Sequence, residues 1–265
     1  MIKVVVVDDS AFMRKAISTM LEKDPGIEVV ATARNGEEGL DLIREHQPDV
    51  VTLDIEMPRM DGLTALRHIM MEMPRPVLMV SSLTTEGAEA TLKALELGAV
   101  DFIPKQLSRV SLDIVKIEQD LINKVKTVAQ RKMRHHAPRP VTAPAPRPAK
   151  MAMPGGTQVR DVVAIGVSTG GPPAVQKVLS ALPGDFPASI VIAQHMPGAF
   201  TGPFAKRLDG LSKINVKEAE PGDMLRPGWA FVAPGGRHMH LEQKVSRVDL
   251  MVSDLNAGVL FVFAI

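Results

Sequence analysis

Four short apolar runs in the first 105 residues each end on polar side chains. The runs are Val4–Val7 before Asp8, Asp9 and Ser10, Val50–Leu53 before Asp54, Val77–Val80 before Ser81, and Val100–Pro104 before Lys105. Such runs, separated by helical patterns, predict the strands of a parallel sheet. The carboxyl ends of these strands meet at one edge of the sheet, beside the topological switch point where ligands bind. The sequence therefore predicts one crevice that collects carboxylate, hydroxyl and amino groups.

The composition favours sheets covered by helices and excludes thiol chemistry. Hydrophobic residues make up 45% of the 265 residues and aromatic residues only 3%, so aliphatic side chains must form the cores. The absence of cysteine excludes disulfides and thiolate nucleophiles. No apolar stretch approaches the roughly 20 residues of a membrane span, and residues 1–9 lack the features of a signal peptide. We therefore expect a cytoplasmic location and no direct membrane insertion.

Charge and proline content divide the chain into three segments. Residues 1–106 hold 18 Asp and Glu against 11 Lys and Arg, a net charge of −7, whereas the remainder holds 12 against 20, a net charge of +8. Six prolines lie between Pro138 and Pro154, which is typical of an extended linker. We predict a doubly wound α/β domain over residues 1–106, a helix and a proline-rich basic linker over 107–158, and a second α/β parallel-sheet domain over 159–265.

Residues at the predicted strand ends suit phosphoryl transfer to a carboxylate. Asp8, Asp9 and Asp54 offer the carboxylate oxygens that Mg²⁺ prefers, and Asp54 is the candidate nucleophile because carboxylates form acyl phosphates. Lys105 and Ser81 are the candidate partners of the phosphoryl oxygens. Taken singly, each residue also has a plain structural role, as a helix cap, a turn residue, a loop start or a solvated lysine. Their common position at strand ends favours the phosphoryl site.

The strings that carry these residues resemble the receiver domain of bacterial response regulators. The matching strings are Val7–Ser10, Leu53–Pro58 with Asp61 and Gly62, Val80–Ser82, and Asp101–Lys105. The resemblance implies a five-stranded, flavodoxin-like fold. It also implies that a histidine kinase phosphorylates Asp54 and that Asp8, Asp9 and Asp54 hold Mg²⁺.

A glycine-rich turn predicts a second site in the carboxyl-terminal part of the chain. The strand predicted over Val162–Val167 leads into Gly166-Val167-Ser168-Thr169-Gly170-Gly171 and then into a helix over 172–182. The G-x-S-x-G pattern is typical of a turn that lifts a serine hydroxyl above a sheet, where helix amides face an oxyanion. The same kind of turn also cradles phosphates with the serine as a bystander.

His195 is the candidate general base for this serine. It ends the next predicted strand, over Ser189–Gln194, and would reach Ser168 at the same sheet edge. A single histidine at a strand end is more often structural, and only its pairing with the serine turn favours catalysis. His238 and His240 are alternative bases on a later predicted strand.

We also predict strands over 214–217, 229–232 and 238–241, and helices over 63–72, 86–97 and 112–131.

The combination of both parts resembles the CheB family of chemotaxis methylesterases. The matching strings are Gly166–Gly171, Gln194–Pro197 and Ala233–Met239, following a receiver and a proline-rich linker. The resemblance implies that Ser168 is the nucleophile, that His195 is the general base, and that Thr169 helps to position substrate or the oxyanion. The implied reaction is cofactor-independent hydrolysis of glutamate methyl esters on chemoreceptors, with glutamine deamidation at the same site. The implied partners are the histidine kinase CheA and methyl-accepting chemoreceptors, and an unphosphorylated receiver would cover the esterase site.

The sequence departs from the family near its end. The family's catalytic domain continues into a Thr-Gly-Met-Gly segment that carries the triad aspartate, and no such segment follows Val248. Asp249 and Asp254 stand outside the family's context, so we assign neither to the triad and expect turn or surface positions for both. Loss of the orienting acid typically costs about 10⁴ in kcat, and loss of core elements can prevent folding. We therefore expect a truncated or altered esterase half with little or no activity.

Two other functions remain open from the sequence. A chain in which only the receiver works would act as a phosphate sink or a docking module in two-component signalling. A DNA-binding regulator would use the basic linker to contact phosphates, but no helix-turn-helix pattern follows that linker. We therefore expect no nucleic-acid partner.

Overall fold

The computed structural model describes residues 1–105, 111–130, 162–245 and 247–254. The predicted proline-rich stretch over 138–154 lies outside the described residues. The described residues form two α/β units, one on each side of that stretch, and a β-hairpin at the carboxyl-terminal end of the second unit.

The first unit is a five-stranded sheet with helices on both faces. Its elements are β1 (Ile2–Val7), α1 (Ala11–Leu21), β2 (Ile27–Ala33), α2 (Gly36–His46), β3 (Val50–Asp54), α3 (Gly62–Glu72), β4 (Val77–Ser81), α4 (Thr85–Glu96), β5 (Asp101–Pro104) and α5 (Ser111–Ala129). The strand order is β2-β1-β3-β4-β5, and every pair is parallel. This flavodoxin-like order has its switch point between β1 and β3, which confirms the predicted fold of this part of the chain.

The valines of β1 show why an unbroken apolar run forms a central strand. Val5 and Val7 pack in the cluster that includes α2, α3 and α4, whereas Val4 and Val6 pack in the cluster that includes α1 and α5. Successive side chains of a strand point to opposite faces, so a strand covered on both faces needs apolar residues at every position. The first polar residue then falls where the strand leaves the core.

Side-chain caps begin the first four helices of this unit. Ser10 accepts a hydrogen bond from the Met13 amide at the start of α1. The other caps are Asn35 to the Glu38 amide, Asp61 to the Thr64 amide and Thr84 to the Gly87 amide. Each cap satisfies an amide that has no partner inside its helix. These caps fix where each loop at the carboxyl edge of the sheet ends.

Helix α5 packs on the first sheet. Its apolar residues share a cluster with α1, and Lys126 Nζ lies 2.5 Å from Asp24 Oδ2 while Lys23 Nζ lies 2.6 Å from Glu118 Oε2. The sequence placed this helix in the segment after the first domain, whose predicted end is residue 106. From these contacts we propose that the first domain extends to Ala129.

The second unit is a smaller parallel sheet followed by the hairpin. Its elements are β6 (Val162–Val167), α6 (Gly171–Ala181), β7 (Ser189–Gln194), α7 (Gly198–Leu211), β8 (Asn215–Glu218), β9 (Trp229–Val232), β10 (Arg237–Gln243) and β11 (Val248–Asp254). The sheet order is β6-β7-β9-β8 with parallel pairs, and β10 pairs with β11 in antiparallel fashion. The second predicted α/β unit is therefore present, together with α7 and β11, which the sequence analysis did not predict.

Helices α4, α6 and α7 bring the two units into contact. Phe102 of β5 stacks on Phe200 of α7 with ring centroids 4.5 Å apart. Arg207 of α7 forms an ion pair with Glu96 of α4. Apolar residues of both units belong to one buried cluster. The receiver-like sheet and the second sheet thus share an apolar interface through α4.

Candidate functional sites

The acidic pocket lies at the carboxyl edge of the first sheet. Val7 of β1 pairs with Leu53 of β3. Asp8 follows Val7 and Asp54 follows Leu53, so the two carboxylates lie at adjacent strand ends. Lys105 reaches both carboxylates: its Nζ lies 2.6 Å from Asp54 Oδ2 and 3.2 Å from Asp8 Oδ2. Asp8 is fully buried and Asp54 is 2% exposed. The structure therefore brings together three of the residues predicted for phosphoryl transfer.

The acidic pocket also fits a hard divalent cation. Asp8, Asp9 and Asp54 each offer one carboxylate oxygen, and these oxygens lie within 4.8 Å of one another. Asp8 Oδ2 and Asp54 Oδ2 are buried and share one ammonium group, that of Lys105. A divalent cation would add a second positive partner for both oxygens. The all-oxygen donor set, with exposed Asp9 open to water, suits Mg²⁺.

Burial and charge shift the titration of this pocket. Burial raises the pKa of Asp54 to about 6; the hydrogen bond from Lys105 opposes the rise, and the charge of Asp8 adds to it. Burial alone would lower the pKa of Lys105, but its contacts with Asp54 and Asp8 outweigh burial and raise it. One ammonium group thus faces two buried carboxylates, and a bound cation would balance the excess negative charge.

Ser81 lies at the predicted strand end, but its hydroxyl bonds to α4. Ser81 Oγ accepts a hydrogen bond from Thr91 Oγ1 at 2.7 Å and lies 3.1 Å from the Gly87 carbonyl oxygen, to which it donates. Ser81 is 1% exposed and directly follows Val80, which pairs with Asp54. In this structure the Ser81 hydroxyl therefore connects β4 to α4, and contact with a phosphoryl group on Asp54 would need the hydroxyl to rotate.

Gly62 is a residue of this site whose role the sequence analysis missed. Its amide donates to the Ile55 carbonyl at 2.9 Å, which folds the start of α3 against the end of β3. A Cβ at this position would lie 1.9 Å from the Asp54 carbonyl oxygen. The missing side chain is thus what allows the turn to close over the Asp54 backbone. The Asp61-Gly62 dipeptide, a common turn signal, was the available clue.

Two glycines shape the serine turn, and they are not the pair that the motif alone suggests. Gly170 has φ of +74°, a left-handed conformation that favours glycine, and directly precedes α6. Gly171 donates to the Ser168 carbonyl at 2.7 Å and has no space for a Cβ. Gly166, by contrast, has open space around its Cβ position. Ser168 itself is exposed at the turn.

The structure brings Ser168 and His195 to the same sheet edge. Val167 of β6 pairs with Gln194 of β7, and the two candidate residues follow directly. The His195 amide donates to the Val167 carbonyl at 3.0 Å, so the main chains remain hydrogen-bonded at this point. Thr169 lies next to Ser168 in the turn and is half-buried. Ser168 and His195 therefore lie at adjacent strand ends, where the sequence predicts them.

The alternative histidines belong to the hairpin. His238 and His240 lie on β10, with ring centroids 5.8 Å apart, and His240 Nε2 is 2.9 Å from Ser253 Oγ of β11. They are therefore not on the parallel sheet whose edge carries Ser168. The geometry favours His195 over both.

The expected surface position was wrong for Asp249. It lies in β11 with 5% exposure and forms an ion pair with Arg247, whose Nε is 2.8 Å from Asp249 Oδ1. Its backbone also bridges to Met224, so the hairpin folds back onto the loop before β9 and covers it. Asp254 is exposed, as expected, and pairs with Arg237 at 2.8 Å. Both acids have local basic partners, and we still assign neither to the serine site.

Fold and sites together define a class of protein: a response-regulator receiver joined to an α/β unit with a serine turn. The family model for the response regulator receiver domain matches residues 4–115, and the model for CheB methylesterase matches residues 163–262. Three similar proteins are each named protein-glutamate methylesterase/protein-glutamine glutaminase. Those of Oleidesulfovibrio alaskensis and Nitratidesulfovibrio vulgaris are 69% and 70% identical over 98% of this chain and 76% of their own lengths. That of Lawsonia intracellularis is 56% identical over 92% of this chain and 71% of its own length.

The chain belongs to the protein-glutamate methylesterase/protein-glutamine glutaminase family, which confirms the resemblance inferred from the motifs. Among the described helices, none is both long and apolar enough to cross a bilayer.

Proposed function

We propose that this chain is a chemotaxis protein-glutamate methylesterase and protein-glutamine glutaminase that is regulated by phosphorylation of Asp54. The observation that carries the proposal is the adjacency of Ser168 and His195 at paired strand ends, in a chain whose first unit holds the acidic pocket. Family membership supports the same activity. We place its action in the cytoplasm, on methylated chemoreceptors, with the histidine kinase CheA as the phosphodonor.

In the receiver, an Asp54 carboxylate oxygen attacks the phosphorus of a phosphohistidine, the N–P bond breaks and the imidazole leaves. Lys105 stabilises the negative charge of the transferred group through its ammonium, which already lies 2.6 Å from Asp54. Asp8, Asp9 and Asp54 would hold Mg²⁺, which when bound neutralises phosphoryl charge. Ser81 hydrogen-bonds the new aspartyl phosphate after its hydroxyl turns away from α4.

In the esterase unit, Ser168 Oγ attacks the carbonyl carbon of the glutamate side-chain ester while His195 accepts the hydroxyl proton. His195 then returns this proton to the leaving methoxide, which departs as methanol. Water attacks the acyl-serine with the same proton relay and releases a free glutamate side chain. A glutamine side chain follows the same path with ammonia as the leaving group. Thr169 and the amides at the start of α6 position the substrate and its oxyanion.

Regulation would pass through the interface that α4 forms with α6 and α7. The Ser81 hydroxyl bonds to Thr91 and Gly87 of α4, so a phosphoryl group that draws the hydroxyl away also removes two contacts of that helix. The same helix pairs Glu96 with Arg207 of α7. Phosphorylation at Asp54 would thereby weaken the interface and open the esterase site.

Methanol release from methylated receptor membranes tests the proposal. The full chain is assayed with and without Mg²⁺ and a small phosphodonor. We expect Ser168→Ala to lose ester hydrolysis by about 10³-fold or more while still accepting phosphate. We expect Asp54→Asn to keep basal hydrolysis and lose the stimulation by phosphodonor. Equal rates for wild type and Ser168→Ala would contradict the assignment.

The same assay decides the expectation of an inactive esterase half, which stays a prediction. A wild-type chain that accepts phosphate but releases no methanol would favour the alternative function, a receiver that acts as a phosphate sink or docking module. Steady methanol release would refute the expected loss of activity.

A further inference from the structure

We propose that Gln194 is the positioning residue that ties the serine turn to the histidine strand. Gln194 is the last residue of β7 and is 5% exposed. Gln194 lies between the two parts of the candidate esterase site. It pairs with Val167, which the turn that carries Ser168 follows, and His195 is the next residue after Gln194. This inference rests on the proposed function, because its consequence concerns the relative position of Ser168 and His195.

The Gln194 amide bonds to the main chains of both candidate catalytic residues. Its Nε2 lies 3.2 Å from the Ser168 carbonyl oxygen and 3.2 Å from the His195 carbonyl oxygen. A primary amide has two N–H groups, so both contacts are made at once. One buried side chain therefore links the nucleophile's turn to the base's strand.

Chemistry fixes the orientation of this amide. Rotating the amide by 180° would place Oε1 against two carbonyl oxygens, and three acceptors would face each other without a proton between them. Nε2 must therefore face the two carbonyls. Oε1 then points towards the start of α6 and has no hydrogen-bond partner.

The start of α6 is shaped around this amide. A Cβ on Gly171 would lie 2.1 Å from Gln194 Oε1, 3.0 Å from its Cδ and 2.9 Å from Val167 Cβ. Glycine at position 171 thus makes room for the amide, and the amide in turn bonds to the carbonyl of Ser168. Because Gly171 also donates to that carbonyl at 2.7 Å, residues 168 and 171 are held from both sides.

Burial alone does not explain an amide at this position. The four residues before it, Ile190, Val191, Ile192 and Ala193, are buried and apolar. An apolar side chain at position 194 would fill the space without leaving an acceptor unpaired. A buried polar group with an unpaired acceptor is costly. The two donated bonds are the gain that offsets this cost, and both end on residues next to the proposed chemistry.

The test compares Gln194→Met, which removes both donors at nearly constant volume, with Gln119→Met on the exposed face of α5. In the full chain we expect Gln194→Met to lower kcat for methanol release about 10- to 100-fold with KM within about twofold, because small displacements of reacting groups cost that much. We also expect faster hydrogen exchange of the Gly171 and His195 amides. The Gln119→Met variant should match wild type in all three measurements.

A second variant keeps the test decisive where Gln194→Met unfolds the sheet. Gly171→Ala keeps the amide but crowds it, together with Val167 Cβ, and should reproduce the lowered kcat. Gly166→Ala, where the Cβ position is open, should not. Wild-type kcat and exchange in both Gln194→Met and Gly171→Ala would overturn the inference, even if Ser168→Ala abolishes hydrolysis. If Ser168→Ala keeps hydrolysis, the proposed function fails. Hydrogen exchange of the Gly171 and His195 amides then decides by itself whether Gln194 links the serine turn to the histidine strand.

Discussion

Asp54 and Ser168 lie at the carboxyl edges of two parallel sheets, yet their surroundings differ. Asp54 ends β3, the middle strand of five, and is 2% exposed among other charges. Ser168 follows β6, an edge strand of which every described residue is at least partly exposed, and the serine itself is exposed. The first site therefore depends on burial and charge, and the second depends on the shape of the backbone around it.

The difference follows from the chemistry of the two nucleophiles. A carboxylate is charged, so its burial beside Asp8 destabilises the folded protein until a cation binds. A serine hydroxyl is neutral and costs nothing comparable, but it works only when a turn aims it at a base. Changes of charge should therefore act on the first unit, and changes of shape should act on the second.

The largest expected effect is a gain in stability from Asp54→Asn. The folded-state pKa of Asp54, about 6, lies above the ordinary value of 3.8, so the folded protein binds an extra proton between these pH values. The stability from this proton is complete below about pH 4 and is lost as the pH rises through 6. Asparagine does not ionise and suffers no such loss. Without Mg²⁺, the free energy of unfolding of Asp54→Asn should exceed that of wild type by about 3 kcal/mol at pH 7 and equal it near pH 4.

Hydrogen exchange of β1 and β3 at several pH values measures this gain in the first unit alone. The matched control is Glu28→Gln on β2, where the carboxylate is exposed. That variant should change the free energy of unfolding by less than about 0.5 kcal/mol at either pH. A gain for Asp54→Asn that is independent of pH would contradict the burial of a charged Asp54.

Gly62→Ala should destabilise the first unit by about 2 to 3 kcal/mol. The added Cβ would meet the Asp54 carbonyl oxygen at 1.9 Å, and backbone atoms cannot move aside cheaply. Phosphorylation of Asp54 by a small phosphodonor should slow in the same variant, because the turn moves the nucleophile. Gly210→Ala on α7, where the Cβ position is open, should be neutral or stabilising by up to about 1 kcal/mol.

Sequence patterns predicted the strands that are buried on both faces better than the strands that form only through pairing with a neighbouring strand. The runs in β1, β3, β4 and β5 are mainly apolar, and each leads into a predicted functional residue. Strand β11 alternates less clearly, and its pairing with β10 is what makes it a strand. Asp249 looked like a surface residue because its burial comes from the same pairing and from Arg247.

The site residues show the same limit at the level of side chains. Positions at strand ends predicted that Asp8, Asp54 and Lys105 would meet, because parallel strands bring their ends together. The orientation of the Ser81 hydroxyl depends on Thr91, on the next helix, and no local pattern reports it. In the sequence Gln194 is only the polar end of a largely apolar run, and its two bonds become visible once β6 and β7 are paired.

Gly170→Ala tests whether backbone shape controls the second site. Gly170 has φ of +74°, and a side chain in that conformation costs about 1 to 2 kcal/mol. The only tryptophan, Trp229 in β9, makes fluorescence a reporter of unfolding in the second unit. We expect a lower urea midpoint for Gly170→Ala and an unchanged midpoint for Gly166→Ala. Equal midpoints would show that the turn tolerates a side chain at both glycines of the motif.

The smallest expected effect concerns an ion pair at the surface, where burial does not strengthen the attraction between the charges. Lys23, in the turn after α1, lies 2.6 Å from Glu118 of α5, but the lysine side chain is 59% exposed, so solvent screens the pair. Glu118→Gln should lower the free energy of unfolding of the first unit by less than about 1 kcal/mol, and salt should reduce the difference further. A loss comparable in size to the Asp54→Asn gain would mean that surface charge matters as much as buried charge in this unit, and the contrast between the two sites would then need another cause.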